Sequence, residues 1–463
     1  MIMSDAVSEA YNNDAYPAMS HPAGHPAVMA ASALLGGLRA AELATARILE
    51  IGCSSGHHIL PIAAAFPDAS FTAIDISTSA IQQAKALANR AGIGNVQFHN
   101  ANILTWSNHS EPFDYIIAHG FFSWVDDEAK IALLRLCHDS LSENGIAMIS
   151  YNTLPGWSLR MPLRDITQTL RRLPSCHDSS IAALDLLESA MRGACSDYGK
   201  HLQAIIRDAR AKGEQQLKFD DFAPIIDPCY FSQFIQWSQQ AGLQYINESD
   251  LALGSPALLP AGASPILQEL RADPMLQQQL TDFLTGRTFR TSLLCRNDAT
   301  LQTPDCHSLA QLCVEVLVPL PETGNVVTDR ICNALRATQP QCVSIASWID
   351  QLDSCRPEQA VNVILQLAQL GMVRLRSAPV IFSELIPEKP ALSAWNRGFL
   401  NQHNPVVDAF HLPCQFAAED CKILQSCDGN RSFAEIIDSC KNSDQIDATH
   451  ALFLHLSRRG LFQ

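Results

Sequence analysis

Positive charge is what this chain of 463 residues is short of: 32 Lys and Arg stand against 47 Asp and Glu, a net charge of −15. Binding nucleic acid needs a basic face, so general affinity for DNA or RNA is not expected, while a basic protein partner stays compatible. No apolar run reaches the roughly 20 residues of a membrane-spanning helix, and no membrane partner is expected. The opening residues, MIMSDAVSEAYNNDAYP, lack a basic segment followed by an apolar core and do not read as a secretory leader. None of the fifteen cysteines falls in a C-x-x-C pair. The close pairs Cys306/Cys313, Cys414/Cys421 and Cys421/Cys427 have no second ligand pair of zinc-site spacing nearby. The expectation is no metal site, and reduced, mostly buried thiols in a cytoplasmic protein. His21/His25 and His57/His58 likewise read as packing or turn residues. No repeat or low-complexity tract stands out.

What is there is concentrated between Arg47 and Ser77, RILEIGCSSGHHILPIAAAFPDASFTAIDIS. An apolar run, Ile48 to Ile51, meets Gly52; a Ser/Gly-rich turn leads into a helical pattern from about Ile59 to Phe66, and a second β-rich run ends at Asp75. This is the strand–glycine turn–helix–strand–acid unit of a doubly wound, nucleotide-binding sheet. Gly52 and Gly56 permit a tight turn and close approach to a ligand. Their G-x-x-x-G spacing is not the G-x-G-x-x-G of dinucleotide sites, and with no Lys-Ser/Thr pair a P-loop is excluded. Glu50 would repel phosphates but suits a cationic ligand, and Asp75 sits where a carboxylate can accept both ribose hydroxyls. S-adenosylmethionine has a sulfonium, an amino group and a free ribose, and no phosphate, so the pattern favours it over NAD. An ordinary βαβ turn without a ligand is the alternative.

A prior of about 150 residues per domain suggests two or three domains, and 47% hydrophobic residues is ample for packed cores. Residues 1–45 read as an arm and an Ala/Leu-rich helix weakened at Gly36-Gly37. Residues 46–160 alternate strands (46–52, 70–75, 95–99, 113–118, 145–151) with helices (57–66, 77–91, 127–141), which means a mostly parallel sheet. Residues 161–300 hold a helical insertion followed by strands at 243–246 and 289–295 that complete the sheet. Residues 301–463 read as helical, with three short helices and a strand at 371–375 suggesting a winged-helix-like part. Ligands of such sheets sit beyond the carboxyl ends of the strands. There Asn102 could reach an adenine edge, and His119, Tyr151, Asn152 and Trp157 would project toward one crevice. Each also has a structural reading: His119 as a hydrogen-bonded core histidine, Asn152 as a helix cap, Trp157 as a rim residue.

The segments SHPAGHPAVMAASALLGGL (20–38), ILEIGCSSGHHILPIA (48–63), FDYIIAHGFFSWV (113–125), GIAMISYNTLPGW (145–157), DPCYFSQFIQWSQQAGLQYI (227–246) and GRTFRTSLLC (286–295) resemble class I methyltransferases carrying a methyltransferase regulatory domain, including the rickettsial-type protein lysine methyltransferases. The resemblance implies an α/β, Rossmann-like seven-stranded sheet, S-adenosylmethionine as cofactor, and transfer to lysine amines of a protein. Cofactor contacts then fall on Glu50, Gly52, Cys53, Ser54, Gly56, Asp75, Ile76, Asn102, Ile103 and His119. Catalytic roles fall on His119, Tyr151 and Asn152. An aromatic acceptor crevice falls on Phe121, Phe122, Trp124, Tyr151 and Trp157, with Tyr16 on a mobile arm as a lid. Two departures from the family are His57-His58, where a small or amide residue is usual, and Asn102, where an aspartate is common. Methylation of a small molecule and a non-catalytic regulatory protein remain the alternatives, and a homodimer is compatible with either.

Overall fold

The computed structural model describes residues 18–462 apart from 109–110, 213, 350–351, 353–354, 402–403 and 441–442. Its centre is a seven-stranded sheet made of β1 (Arg47–Ile51), β2 (Ser70–Asp75), β3 (Val96–Asn100), β4 (Phe113–Ala118), β5 (Leu141–Asn152), β6 (Leu243–Glu248) and β7 (Phe289–Arg296). The order is β3-β2-β1-β4-β5-β7-β6. The first five strands pair in parallel, and β7 runs antiparallel between β5 and β6. Strands covered on both faces read as continuous apolar runs; Ile48, Leu49 and Ile51 are all buried, as are Ile116, Ile117 and Ala118.

Local signals set the helix limits. Helix Thr78–Ala91 starts at Ser77, whose side chain accepts from Ala80 N, and stops at Gly92 in the left-handed conformation. Helix Asp127–Ser140 starts at Asp126, whose carboxylate accepts from Ala129 N. Helix Pro26–Leu35 is buried along nearly its whole length. Met29 and Ala33 pack into one core with the main sheet, and Ala31 into another with residues of 310–375.

The insertion between β5 and β6 includes helices Met161–Arg171, Ser180–Ala190, Asp197–Lys212 and Glu214–Asp220, packed around Leu163, Leu184, Leu202 and Ile206. The far edge of the sheet carries a buried charge network. Arg290 on β7 donates to Glu248 of β6 at 2.7 Å and to Asp282 at 2.8 Å, and Arg287 also donates to Asp282, so two cations meet two carboxylates.

Beyond residue 300, β8 (Cys313–Val316), β9 (Val343–Ser344) and β10 (Val373–Arg376) form an antiparallel sheet in the order β10-β8-β9, with helices Val326–Thr338 and Pro357–Gln369 packed on it. β8 was not foreseen as a strand, because Pro319 and Pro321 follow it closely; the structure ends the strand before them. The last segment packs around Leu392, Leu400, Leu424, Phe453 and Leu456. Its helix Ala394–Asn401 lies on helix Thr78–Ala91 so closely that a Cβ on Gly398 would stand 2.3 Å from Leu87 Cδ1.

Candidate active site

β1 and β2 end side by side, and the turn after β1 folds back over β2. Gly52 and Cys53 donate their N–H groups to Ile74 O. Asp75 closes the turn: Oδ2 accepts Ser54 N and Oδ1 accepts Ser77 N, both at 2.8 Å. Gly52 (φ 74°) and Ser54 (φ 47°) are left-handed, and a Cβ on Gly52 would meet the Phe121 ring at 3.2 Å. Beyond this turn lies a cavity of about 370 Å³, within the range of small-ligand sites.

One end of the cavity is lined by Glu50, Gly52, Cys53, Ser54, Asp75, Ile76, Asn102 and Ile103. Glu50 is buried with Oε2 lacking a partner, and desolvation and then the charge of Asp75 raise its pKa well above the ordinary carboxyl value. An orphaned carboxyl oxygen beside a second carboxylate calls for a ligand that is a donor or a cation. The cofactor implied by the sequence, S-adenosylmethionine, fits that demand: its amino group and ribose hydroxyls are donors, and it brings no phosphate to repel. Asn102 commits its carboxamide oxygen to Leu104 N at 2.9 Å, which leaves its amide nitrogen as the group able to reach a ligand. Cys53 is buried, and desolvation raises its thiol pKa, so it stays a neutral wall residue.

The other end is aromatic. Phe121, Trp124, Trp157 and Phe289 line it, with Phe219 and Ile225 from the insertion and the pair Lys212–Asp220 at 3.3 Å. Trp157 stands edge-on to Trp124, and the Arg160 guanidinium lies 5.2 Å from its ring centre. Between the two ends stand His119, whose pKa desolvation holds well below the ordinary value, and Asn152, whose buried Nδ2 has no partner. His119 stacks on His21 at 3.6 Å.

Several expected site residues lie away from the cavity, and one lies outside the described residues. Gly56 does not line the cavity: it packs helix Ile59–Ala65 closely, where a Cβ would meet Leu60, Ala84 and Phe98 at 3.2–3.3 Å. Tyr151 points to the opposite face of β5 from Asn152; its hydroxyl bonds Ser292 Oγ at 3.1 Å and its ring stacks on Phe234. Of the two phenylalanines expected in the crevice, Phe121 lines the cavity, while Phe122 is fully buried against Tyr151, Phe234 and Trp237. Tyr16 lies outside the described residues. Sequence reasoning missed Lys212, Phe219 and Asp220, which come from the helical insertion; the acid–aromatic run KFDDF (218–222) was the available signal.

The fold and this site define a methyltransferase-type α/β protein. Residues 48–145 match the family described as a methyltransferase domain, and residues 214–296 that described as a predicted methyltransferase regulatory domain. The structure is similar to that of PKMT2 from Rickettsia typhi, with TM-score 0.81 and 22% identity over 96% of this chain and 100% of that one. PKMT2 has also been solved in complex with AdoHcy, with TM-score 0.82 over 96% of this chain and 99% of that one. In sequence, the chain is 29% identical over 294 residues to an uncharacterized protein of Rickettsia prowazekii, covering 62% of this chain and 53% of that protein, about half its length. The chain is also 33% identical over 112 residues to a malonyl-[acyl-carrier protein] O-methyltransferase of Bacillus cereus, covering 24% of this chain and 39% of that protein. Among the described residues no helix is long and apolar enough to cross a membrane.

Proposed function

We propose that this chain is an S-adenosylmethionine-dependent methyltransferase acting on a lysine amine of a protein. One observation carries the reading: a single cavity joins the Glu50–Asp75 carboxylate end to an aromatic chamber, with His119 and Asn152 at the junction. Bound there, the cofactor supplies a methyl carbon on a positively charged sulfur, already activated for displacement. The chain then has to bind, orient and exclude water.

Asp75 would accept the ribose hydroxyls, Glu50 would face the cationic amino-acid end, and Ile76, Ile103 and Asn102 would enclose the base. A lysine amine has a free pKa of about 10.4 and must arrive neutral. The wall of Phe121, Trp124, Trp157 and Phe219 disfavours the charged ammonium by desolvation. His119, held neutral, offers a ring nitrogen as acceptor, and Asn152 Nδ2 offers a donor to orient the acceptor chain. All fifteen cysteines are free thiols, which suits a cytoplasmic location. The sequence resemblance to the rickettsial-type protein lysine methyltransferases supports the lysine acceptor.

The match to an O-methyltransferase core favours a second reading, a small carboxylic acceptor. Incubation with methyl-labelled cofactor and cell lysate separates them. Acid-stable label recovered as methyllysine is expected; label confined to base-labile esters or to the small-molecule fraction would replace the first reading with the second.

A further inference from the structure

The last segment of the chain reaches the cofactor turn from behind. His57 and His58 depart from the family pattern, and the structure shows what takes up both rings. His57 stacks on Phe399 with centroids 4.0 Å apart. His58 Nδ1 lies 2.8 Å from Nε2 of His411, 353 positions further along the chain.

The contacts of His58 admit one tautomer. Its Nε2 faces Gly24 O at 3.3 Å, which can only accept, so Nε2 carries the proton. Nδ1 is then a bare lone pair, as it must be to receive His21 N–H at 3.2 Å. His411 must therefore present Nε2–H. The loop that presents it is built for the purpose: His411 is held at φ 66°, and Asp408 Oδ1 accepts the N–H groups of Phe410 and Leu412. On the other side, His21 places its ring against His119 at the cavity wall. Burial keeps the relay uncharged, with His58 lowered to about 3 and His21 to about 4.

We infer that His411 is a positioning residue of the cofactor site: its Nε2–H anchors the ring of His58, which holds the His21–Gly24 backbone and so seats His21 against His119. The C-terminal segment is thereby part of the site although it does not line the cavity. This rests on the cavity being the cofactor site.

The test uses the full chain with ¹⁵N-labelled histidine, and S-adenosylhomocysteine as the calorimetric probe. In the wild type, His58 is expected to show a protonated Nε2, a bare Nδ1 and a scalar coupling to His411 across the hydrogen bond. His411→Leu should abolish that coupling, shift the His58 ring resonances as the ring loses its anchor, and weaken the probe about fivefold, the worth of one net buried hydrogen bond. His411→Gln, which keeps an amide donor, should recover most of that loss. A wild-type His58 protonated at Nδ1, or unchanged probe affinity in a folded Leu variant, overturns the inference. If the Leu variant does not fold, the wild-type spectrum decides by itself. Failure of the wild type to bind the probe would instead overturn the cofactor reading, and the spectrum would still judge the His58–His411 bond.

Discussion

Two carboxylates on neighbouring strands do different work at the head of the cavity. Asp75 braces the turn through Ser54 N and Ser77 N, and in the proposed reading it also holds the ribose. Asp75→Ala should therefore weaken S-adenosylmethionine at least about 100-fold, since charge-assisted hydrogen bonds are worth roughly 1.5–3 kcal/mol each; calorimetry reads this directly. Glu50 behaves differently. Its pKa is raised in the folded chain, so it adds stability below the ordinary carboxyl value and loses it as pH rises through the folded value. At neutral pH it is a strain on the ligand-free chain. Glu50→Gln should raise the unfolding temperature without ligand and weaken cofactor binding, two opposite changes in one variant. The histidines run the other way. His21, His57 and His58 are lowered to between about 3 and about 4, so the stability they confer is complete above 6.5 and is lost as pH falls through those values. Thermal unfolding followed from pH 7 to pH 4 should show a fall in melting temperature that begins near pH 6. Glu50, Gly52 and Asp75 were legible in the sequence because they sit at fixed distances along one βαβ unit. Tyr151 and Phe122 were misplaced because a cluster of aromatic residues at a strand mouth does not reveal which alternate positions face the cavity.

At the scale of elements, β1, β2, β4 and β5 announced themselves by apolar runs, and β6 and β7 by short apolar stretches after the insertion. β8 did not, because four residues followed by prolines leave no periodicity to read. The β6–β7 edge depends on Arg290, which is wholly buried between Glu248 and Asp282 with its guanidinium 4.1 Å from the Phe231 ring. Arg290→Met should cost about 3–5 kcal/mol in chemical denaturation, because two carboxylates lose a buried partner. The turn after β5 depends on Gly156, where a Cβ would stand 2.0 Å from Gly286 O. That neighbour is backbone and cannot rotate away. Gly156→Ala should displace Trp157 and lower both stability, by about 1–3 kcal/mol, and methyl transfer, in denaturation and turnover assays on the same preparation.

For the molecule as a whole, the long-range pairings could not be read from local pattern. Neither the approach of Phe219 and Lys212 to the cavity nor that of His411 to His58 leaves a trace within any window of neighbouring residues, since both depend on how separate cores dock. The same is true of β5, whose antiparallel partner β7 begins at Phe289. That pairing has a consequence in time. A ribosome adding about 5–20 residues per second leaves the edge of β5 bare for on the order of ten seconds after Asn152 has been made. During that interval the nascent chain carries an apolar strand with unpaired amides, a template for association with other chains. A fragment ending near residue 160 keeps the edge exposed for good and should collect in the insoluble fraction, whereas a fragment continued through Arg296 should recover solubility. Protecting the half-made sheet is then a task for the cell's folding machinery, and growth temperature during expression becomes the variable that decides yield.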